Sequence, residues 1–224
     1  MKSSIVLIAT LFFYQAGFAV NYYFSTKEDN AYNNPINWTP GYPGSVIQKG
    51  DVVVFQSDAV LDGINIEVNG TIVIELGVSI FSGSNGITIT KTGKMTNNGE
   101  MNMIFLDNAG YFENQSLSFL NINTCTNRKT ATLNNLFSGK ISGIDFVNEG
   151  EFHNYGKCFA TNLSNKAQIF QYSHAHLEVN DLFEQFPNSK IIPSVFAVFN
   201  AKAVKNYSET QGSYLGAFSS SANL

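Results

Sequence analysis

The amino-acid sequence predicts an all-β fold: a single-stranded right-handed parallel β-helix, or solenoid, with a cap at each end. Two observations lead to this prediction. Short apolar and β-branched blocks recur between glycines from Asp51 onward, and a six-residue unit repeats inside this region. We expect residues 51–185 to form the coils, residues 20–50 to form an N-terminal cap segment, and residues 186–224 to form a C-terminal cap and tail.

The six-residue unit has the form apolar-x-Asn-x-Gly-x. It occurs twice in succession from Phe146 to Lys157, and once each from Met95 to Glu100 and from Leu106 to Tyr111. Because side chains alternate along an extended chain, an even period places successive apolar residues on one side, which we predict to be the interior. We expect the glycines to supply positive φ at corners and the asparagines to stack in a hydrogen-bonded ladder. Offsets of 17 and 40 residues between the repeats indicate coils of about 17–20 residues.

A β-sandwich or antiparallel meander is the competing architecture, because it also has short strands separated by glycine-rich turns. Asn69-Gly70 is a suitable two-residue turn, so a hairpin between the blocks 64–68 and 71–76 stays open. Residues 191–204 fit either a last strand or a short amphipathic helix. The paired six-residue units favour the parallel β-helix.

The segment from Trp38 to Phe55 reads W-T-P-G-Y-P-G-S-V-I-Q-K-G-D-V-V-V-F. Its prolines and glycines disfavour regular structure up to Lys49, and a β-branched run follows. The segment resembles the start of bacterial secreted parallel β-helix proteins, both pectate-lyase-like proteins and autotransporter passengers. This resemblance implies that the region around Trp38 covers one open end of the solenoid. It also implies that a polysaccharide lyase or hydrolase is an alternative function, although the clustered basic and acidic residues of such enzymes are not apparent.

The first residues have the pattern of a signal peptide. A basic start at Met1-Lys2 precedes the apolar stretch 5–14, and Gly17-Phe18-Ala19 provides small residues at the cleavage positions. A membrane anchor is the alternative, but the apolar stretch is shorter than the ~20 residues that span a bilayer. We predict a signal peptide over residues 1–19 and a protein that is secreted or held on a bacterial cell surface.

Composition limits the classes of partner that the protein can bind and the redox states that its two cysteines can adopt. Only 13% of the residues are charged, against about 25% in ordinary domains. The single arginine, Arg128, and the net charge of −4 argue against nucleic acid as a partner, because nucleic acid is bound by clustered cations.

In an oxidising compartment Cys125 and Cys158 can form a disulfide, or they can remain two small buried side chains. Both alternatives stay open.

The pattern His174-Ala-His176-Leu-Glu178 is the best candidate for a metal site. Alternate residues of a strand share a face, so the two imidazoles and the carboxylate would project together. The alternative is an ordinary polar outer face, and on that interpretation we expect no metal and no cofactor.

Exposed tyrosines stack on sugar rings while neighbouring amides bind sugar hydroxyls, although a tyrosine can also pack against a strand edge. Tyr42, Tyr155 and Tyr172 are therefore the predicted ligand-binding residues, and no catalytic residue is assigned. We expect a non-enzymatic, adhesin-like protein that binds an extracellular glycan or a host or surface protein. The alternative is a polysaccharide lyase or hydrolase on the same fold.

Overall fold

The chain folds into a β-solenoid of about 8 turns that contains two long, mainly parallel sheets. The computed structural model describes residues 19–207, so the predicted signal peptide, apart from Ala19, lies outside the described residues. The predicted all-β parallel β-helix is confirmed. Within residues 19–207 no helix is long and apolar enough to cross a membrane.

The two sheets differ in strand length, and a short 3₁₀ helix, Pro35–Asn37, lies directly before Trp38. The strands of sheet A are β1 (Asn21–Phe24), β2 (Trp38–Thr39), β4 (Val52–Phe55), β7 (Thr71–Ile74), β10 (Lys94–Asn97), β12 (Tyr111–Asn114), β14 (Thr132–Asn135), β16 (Glu151–Asn154), β18 (Gln168–Gln171) and β20 (Lys190–Pro193). The strands of sheet B are β3 (Val46–Ile47), β5 (Ala59–Val60), β6 (Ile66–Val68), β8 (Ser79–Phe81), β9 (Gly86–Ile89), β11 (Glu100–Asn108), β13 (Phe119–Asn127), β15 (Lys140–Asn148), β17 (Lys157–Asn165), β19 (His176–Gln185) and β21 (Val198–Asn206).

From β10 onward the chain alternates between the sheets, and each strand pairs in parallel with the equivalent strand of the next coil. The long strands of sheet B cover two sides of the solenoid, because the first part of β11 pairs with β8 and its second part pairs with β9. Alternate side chains point inward along β12 and β16, and along each half of the long strand β11. Phe146 and Phe152 are 2% and 0% exposed, and their ring centroids lie 5.1 Å apart, so the predicted interior position of both is confirmed.

From β6 onward corners of two lengths join the strands, and they explain why the coil length varies. The link from sheet A to sheet B has two residues at 98–99 and 155–156 but four at 115–118 and 136–139. Equivalent asparagines in neighbouring coils are therefore 17, 19 or 21 residues apart. The paired six-residue units of the sequence mark the short corners.

Glycines at the short corners have a different role from the predicted one. None of Gly99, Gly110, Gly150 and Gly156 has positive φ. A Cβ at Gly99 would lie 2.0 Å from the Val78 carbonyl oxygen of the preceding coil, and the other three glycines have similar close contacts. These positions need glycine because the backbones of neighbouring coils approach closely. Positive φ occurs mainly at non-glycine residues of the four-residue corners: Leu117, Thr130, Ser138, His174, Asn188 and Phe196.

The predicted ladder of hydrogen-bonded asparagines is present, and the described residues form two such ladders. Each amide except the last of each ladder donates from Nδ2 to the side-chain oxygen of the equivalent residue in the next coil, over 2.8–3.1 Å. The last members are Gln171, whose buried Nε2 has no hydrogen-bond partner among the described residues, and Asn165, which donates to Lys190 O. The second Nδ2 hydrogen is donated to a backbone carbonyl, as from Asn135 to Lys157 O at 3.0 Å. All members are buried. Ladder A, at the ends of the sheet-A strands, is Asn97, Asn114, Asn135, Asn154 and Gln171; ladder B, at the ends of the sheet-B strands, is Asn108, Asn127, Asn148 and Asn165.

Earlier coils have apolar side chains at the ladder positions. Asn97 is in register with Ile74, which pairs with Phe55, which pairs with Phe24. Trp38 is 4% exposed and packs on Phe24 at a centroid distance of 5.0 Å. The solenoid thus begins around an aromatic cluster and changes to buried amides from Asn97 onward.

Parallel strand pairing extends on both sides of residues 51–185, and the predicted bounds of the coils and caps stay predictions. At the N-terminal end the pairing includes β1, which pairs with β4. At the other end β20 and β21 continue the coils past residue 185, and residues 191–204 form strands, not a helix. β2 and β3 also lie in the segment where prolines predicted no regular structure. The hairpin at Asn69-Gly70 is absent, because β6 and β7 belong to different sheets. The two caps stay predictions.

Candidate functional site

Two of the three predicted ligand-binding tyrosines come together on the outer surface. Tyr155 follows β16 and Tyr172 follows β18, so they occupy the same corner position in neighbouring coils. Their rings stack in parallel, with centroids 3.7 Å apart and an interplanar angle of 6°. Both side chains are half-buried. Tyr42 is not part of this pair, because it packs at 5.5 Å from Tyr32 in the N-terminal aromatic cluster.

A second stacked pair lies beside the tyrosines on the outer face of sheet A. His153 on β16 is in register with Phe170 on β18, and their rings stack at 4.6 Å with an angle of 3°. In-register parallel strands place equivalent side chains at a spacing of about 4.8 Å, which suits stacked rings. We call Glu151, His153, Tyr155, Phe170 and Tyr172 the aromatic patch.

Hydrogen bonds connect the polar members of the aromatic patch. His153 Nε2 lies 3.3 Å from Glu151 Oε2, and His153 Nδ1 lies 2.9 Å from Tyr172 Oη. The hydrogen bond with Tyr155, together with partial burial and the nearby Tyr155 and Glu151 charges, raises the pKa of Tyr172 to about 12. The Tyr172 phenol is therefore neutral at physiological pH and can donate as well as accept a hydrogen bond.

The candidate metal ligands do not share one strand face. His176 and Glu178 project outward from β19, with His176 Nε2 3.0 Å from Glu178 Oε2. His174 lies before β19, in the corner 172–175, where its φ is 64° and its ring stacks on Phe196 at 5.5 Å. The predicted common face fails for His174 because the strand begins two residues later than the pattern suggested. In residues 19–207 no group of three or more His, Cys, Asp or Glu side chains is placed to hold a metal ion.

Both cysteines are free thiols in the solenoid interior. Cys125 lies on β13 and Cys158 on β17, and β15 lies between these strands in sheet B. Two strand spacings of about 4.8 Å exceed the 4.4–6.8 Å that separates the Cα atoms of a disulfide. Burial raises the pKa of both thiols, that of Cys158 to about 12, which matches small buried side chains of low reactivity.

The sequence reasoning did not include His153 and Phe170 in the site, although a usable signal was present. His153 precedes Phe170 by 17 residues, and Tyr155 precedes Tyr172 by the same number, which is the length of a coil with two short corners. A search for aromatic residues 17 apart in this region would have found both pairs. It could not have found the hydrogen bond between His153 and Tyr172, which joins different positions of the coil.

Comparison of the chain with protein-family models, curated protein sequences and solved structures gives no match. The fold is therefore assigned from the strand pairing alone, and the candidate site is assigned from the contacts within the aromatic patch.

Proposed function

We propose that this protein is an exported, non-enzymatic binding protein, adhesin-like in its role, and that the aromatic patch holds an extracellular carbohydrate. The observation that carries the proposal is the pair of parallel ring stacks on one outward face, joined by hydrogen bonds from Glu151 through His153 to Tyr172. Apolar ring surface and hydroxyl-binding groups are the two features that a sugar needs.

The chemistry of the patch suits a sugar. Half-buried Phe170 and the tyrosines offer ring surface to the C–H groups of a pyranose, while the tyrosine hydroxyls and the Glu151 carboxylate offer partners to its hydroxyl groups. The side chains project from in-register strands and are held by their stacking partners. Binding to such a rigid surface costs little ordering of the protein.

Export is supported by the predicted signal peptide and by the resemblance of the segment from Trp38 to Phe55 to secreted parallel β-helix proteins, including autotransporter passengers. The low content of charged residues, 13%, leaves a surface of amides, hydroxyls and aromatic rings. These features favour an extracellular glycan over a nucleic acid as the partner.

A glycan array followed by titration calorimetry tests the proposal. We expect the wild-type protein to retain a restricted set of glycans. We expect the double variant Tyr155→Ala, Tyr172→Ala to bind them about thirtyfold more weakly, since truncating a hot-spot aromatic costs about 2 kcal/mol. Phe81→Ala is the matched control, because Phe81 is 55% exposed on sheet B and lies outside the patch. An empty array, or equal affinities of the double variant and wild type, would refute the proposal.

A polysaccharide lyase or hydrolase is the second candidate, because Glu151, His153 and Tyr172 form a chain of groups that can exchange protons. The raised pKa of Tyr172 keeps the phenol neutral at neutral pH and makes it a weaker acid, which leaves His153 as the group that would exchange protons. Incubation with acidic and neutral polysaccharides and measurement of new reducing ends tests this candidate. Turnover that disappears in His153→Ala would establish the enzyme in place of the binding protein.

A further inference from the structure

The most exposed apolar side chains of the described residues lie in one row. Five large apolar side chains are 67–79% exposed, and the next one, Phe81, is 55% exposed. All five belong to four-residue corners that lead from sheet A to sheet B, and these corners stack above one another along the solenoid. We call them the corner row: Leu76, Leu117, Phe137, Val195 and Phe196.

Two members of the corner row also have an unusual backbone conformation. Leu117 and Phe196 have φ values of 68° and 64°, in the left-handed region that bulky side chains rarely adopt. Gly77 occupies the equivalent position in an earlier corner, with φ 81°, so a glycine meets the backbone requirement there. Large apolar side chains in strained and solvent-exposed positions indicate a contact surface.

The corners differ in length, so the edge of the solenoid that carries the corner row has protrusions and notches. Four-residue corners protrude at 75–78, 115–118, 136–139, 172–175 and 194–197, whereas the two-residue corners at 98–99 and 155–156 leave notches. A rotation of 180° about an axis through 136–139 reverses this order. It brings the protrusion 115–118 opposite the notch 155–156, and the protrusion 172–175 opposite the notch 98–99. The remaining pairs set protrusion against protrusion, because 136–139 meets itself and 75–78 meets 194–197. Each apolar protrusion therefore lies opposite a notch or another apolar protrusion.

We propose that two copies of this chain associate along the corner row, with antiparallel solenoid axes and a two-fold axis at the corner 136–139. Phe137 then packs on Phe137 of the second copy. Leu117 enters the notch beside Tyr155, and Leu76 lies opposite Phe196. Such an interface is isologous and closed, so it gives a dimer and not a filament.

The area available is close to what a stable dimer needs. Five large apolar side chains at this exposure present on the order of 600 Å² per copy, and a stable interface buries about 800 Å² per partner. Flanking residues of the same corners supply the rest. The two-fold axis is perpendicular to the plane of the two solenoid axes, so both sheet-A faces point to the same side. This inference does not rest on the proposed function. It places Tyr155 and Tyr172 of each aromatic patch at the interface, whereas Glu151, His153 and Phe170 of both copies face one side.

Sedimentation velocity and light scattering over a range of concentrations test the dimer. We expect the wild-type mass to approach twice that of one chain, and Phe137→Arg to be monomeric because it places two like charges at the two-fold axis. Phe81→Arg is the matched control and should remain dimeric. Circular dichroism checks that both variants fold, as expected for positions more than half exposed.

Cysteine cross-linking tests the two-fold geometry. Phe137→Cys should cross-link to itself, Leu76→Cys alone should not, and a mixture of Leu76→Cys with Phe196→Cys should give a mixed dimer. Cys125 and Cys158 are buried and should not react. A wild-type monomer at all concentrations, a dimer unaffected by Phe137→Arg, or self-linking of Leu76→Cys would overturn the proposal. So would a monomer that co-sediments with lipid vesicles through Phe137, because the row would then contact a lipid surface.

Discussion

Replacing Asn135 by alanine removes one amide from the middle of ladder A. Asn135 is fully buried, and its Nδ2 donates to Asn154 Oδ1 at 2.8 Å and to Lys157 O at 3.0 Å. Its Oδ1 accepts from Asn114 Nδ2 at 2.9 Å. The substitution therefore leaves two acceptors and one donor hydrogen in the interior without these bonds.

The magnitude follows from these three groups. A buried polar group that loses its partner costs about 1–3 kcal/mol. Asn114 Nδ2 keeps its second bond, to Lys140 O at 3.2 Å, so its loss is partial. We expect Asn135→Ala to lower the free energy of unfolding by about 3–6 kcal/mol. Asn135→Leu fills most of the space but restores no hydrogen bond, so it should be nearly as destabilising.

Equilibrium unfolding in urea measures this difference, with Asn121→Ala as the control. Asn121 is exposed on sheet B and donates one hydrogen bond to Asn102 Oδ1 at 3.2 Å, so its loss should cost less than about 0.5 kcal/mol. A cost for Asn135→Ala within 1 kcal/mol of the control would refute the argument that the ladder stabilises the solenoid.

Three further predictions use the same unfolding assay or metal analysis. Phe152→Ala should cost about 3–5 kcal/mol because Phe152 is fully buried, whereas Glu151→Ala should stay within about 0.5 kcal/mol; equal small effects would remove the inward assignment. Gly156→Ala should cost more than about 2 kcal/mol, because its Cβ would lie 2.2 Å from the Gly139 carbonyl oxygen, while Gly41→Ala has nothing within 4 Å and should be nearly neutral; similar costs at both would contradict the close-approach explanation. The triple variant that tests the metal hypothesis should match the wild type in fold and zinc content, and stoichiometric zinc found only in the wild type would overturn this expectation. Its substitutions are His174→Ala, His176→Ala and Glu178→Gln.

The sequence predicted the parts of the fold that repeat at short range. The paired six-residue units placed Phe146 and Phe152 inside and the asparagines in a ladder, because an even period fixes which side of a strand each residue faces. The role of the glycines was not predictable from this pattern. Gly99 needs no special φ, and its close neighbour, Val78 O, belongs to the preceding coil, which only the stacked structure brings close.

Corner length was the other limit of the sequence reasoning. Leu117 and Phe196 carry no turn signal, yet both occupy left-handed corner positions, so the four-residue corners were not recognised. Without them, coil lengths of 19 and 21 residues could not be assigned to particular coils. The aromatic patch was predictable only in part, since the pair Tyr155 and Tyr172 was identified and the neighbouring pair His153 and Phe170 was not.

The two asparagine ladders have a direction, and this has a consequence for how such a chain changes its length. Every amide inside a ladder donates toward the C-terminal end and accepts from the N-terminal side, as Asn114 does between Asn97 and Asn135. The join between any two asparagine coils is thus chemically the same. A whole coil can be duplicated or lost in evolution and the amides on either side will meet equivalent partners, whatever the lengths of the intervening corners. The gene can therefore gain or lose whole coils while the buried hydrogen bonds of the ladders are kept. Insertion of part of a coil would break both ladders at once.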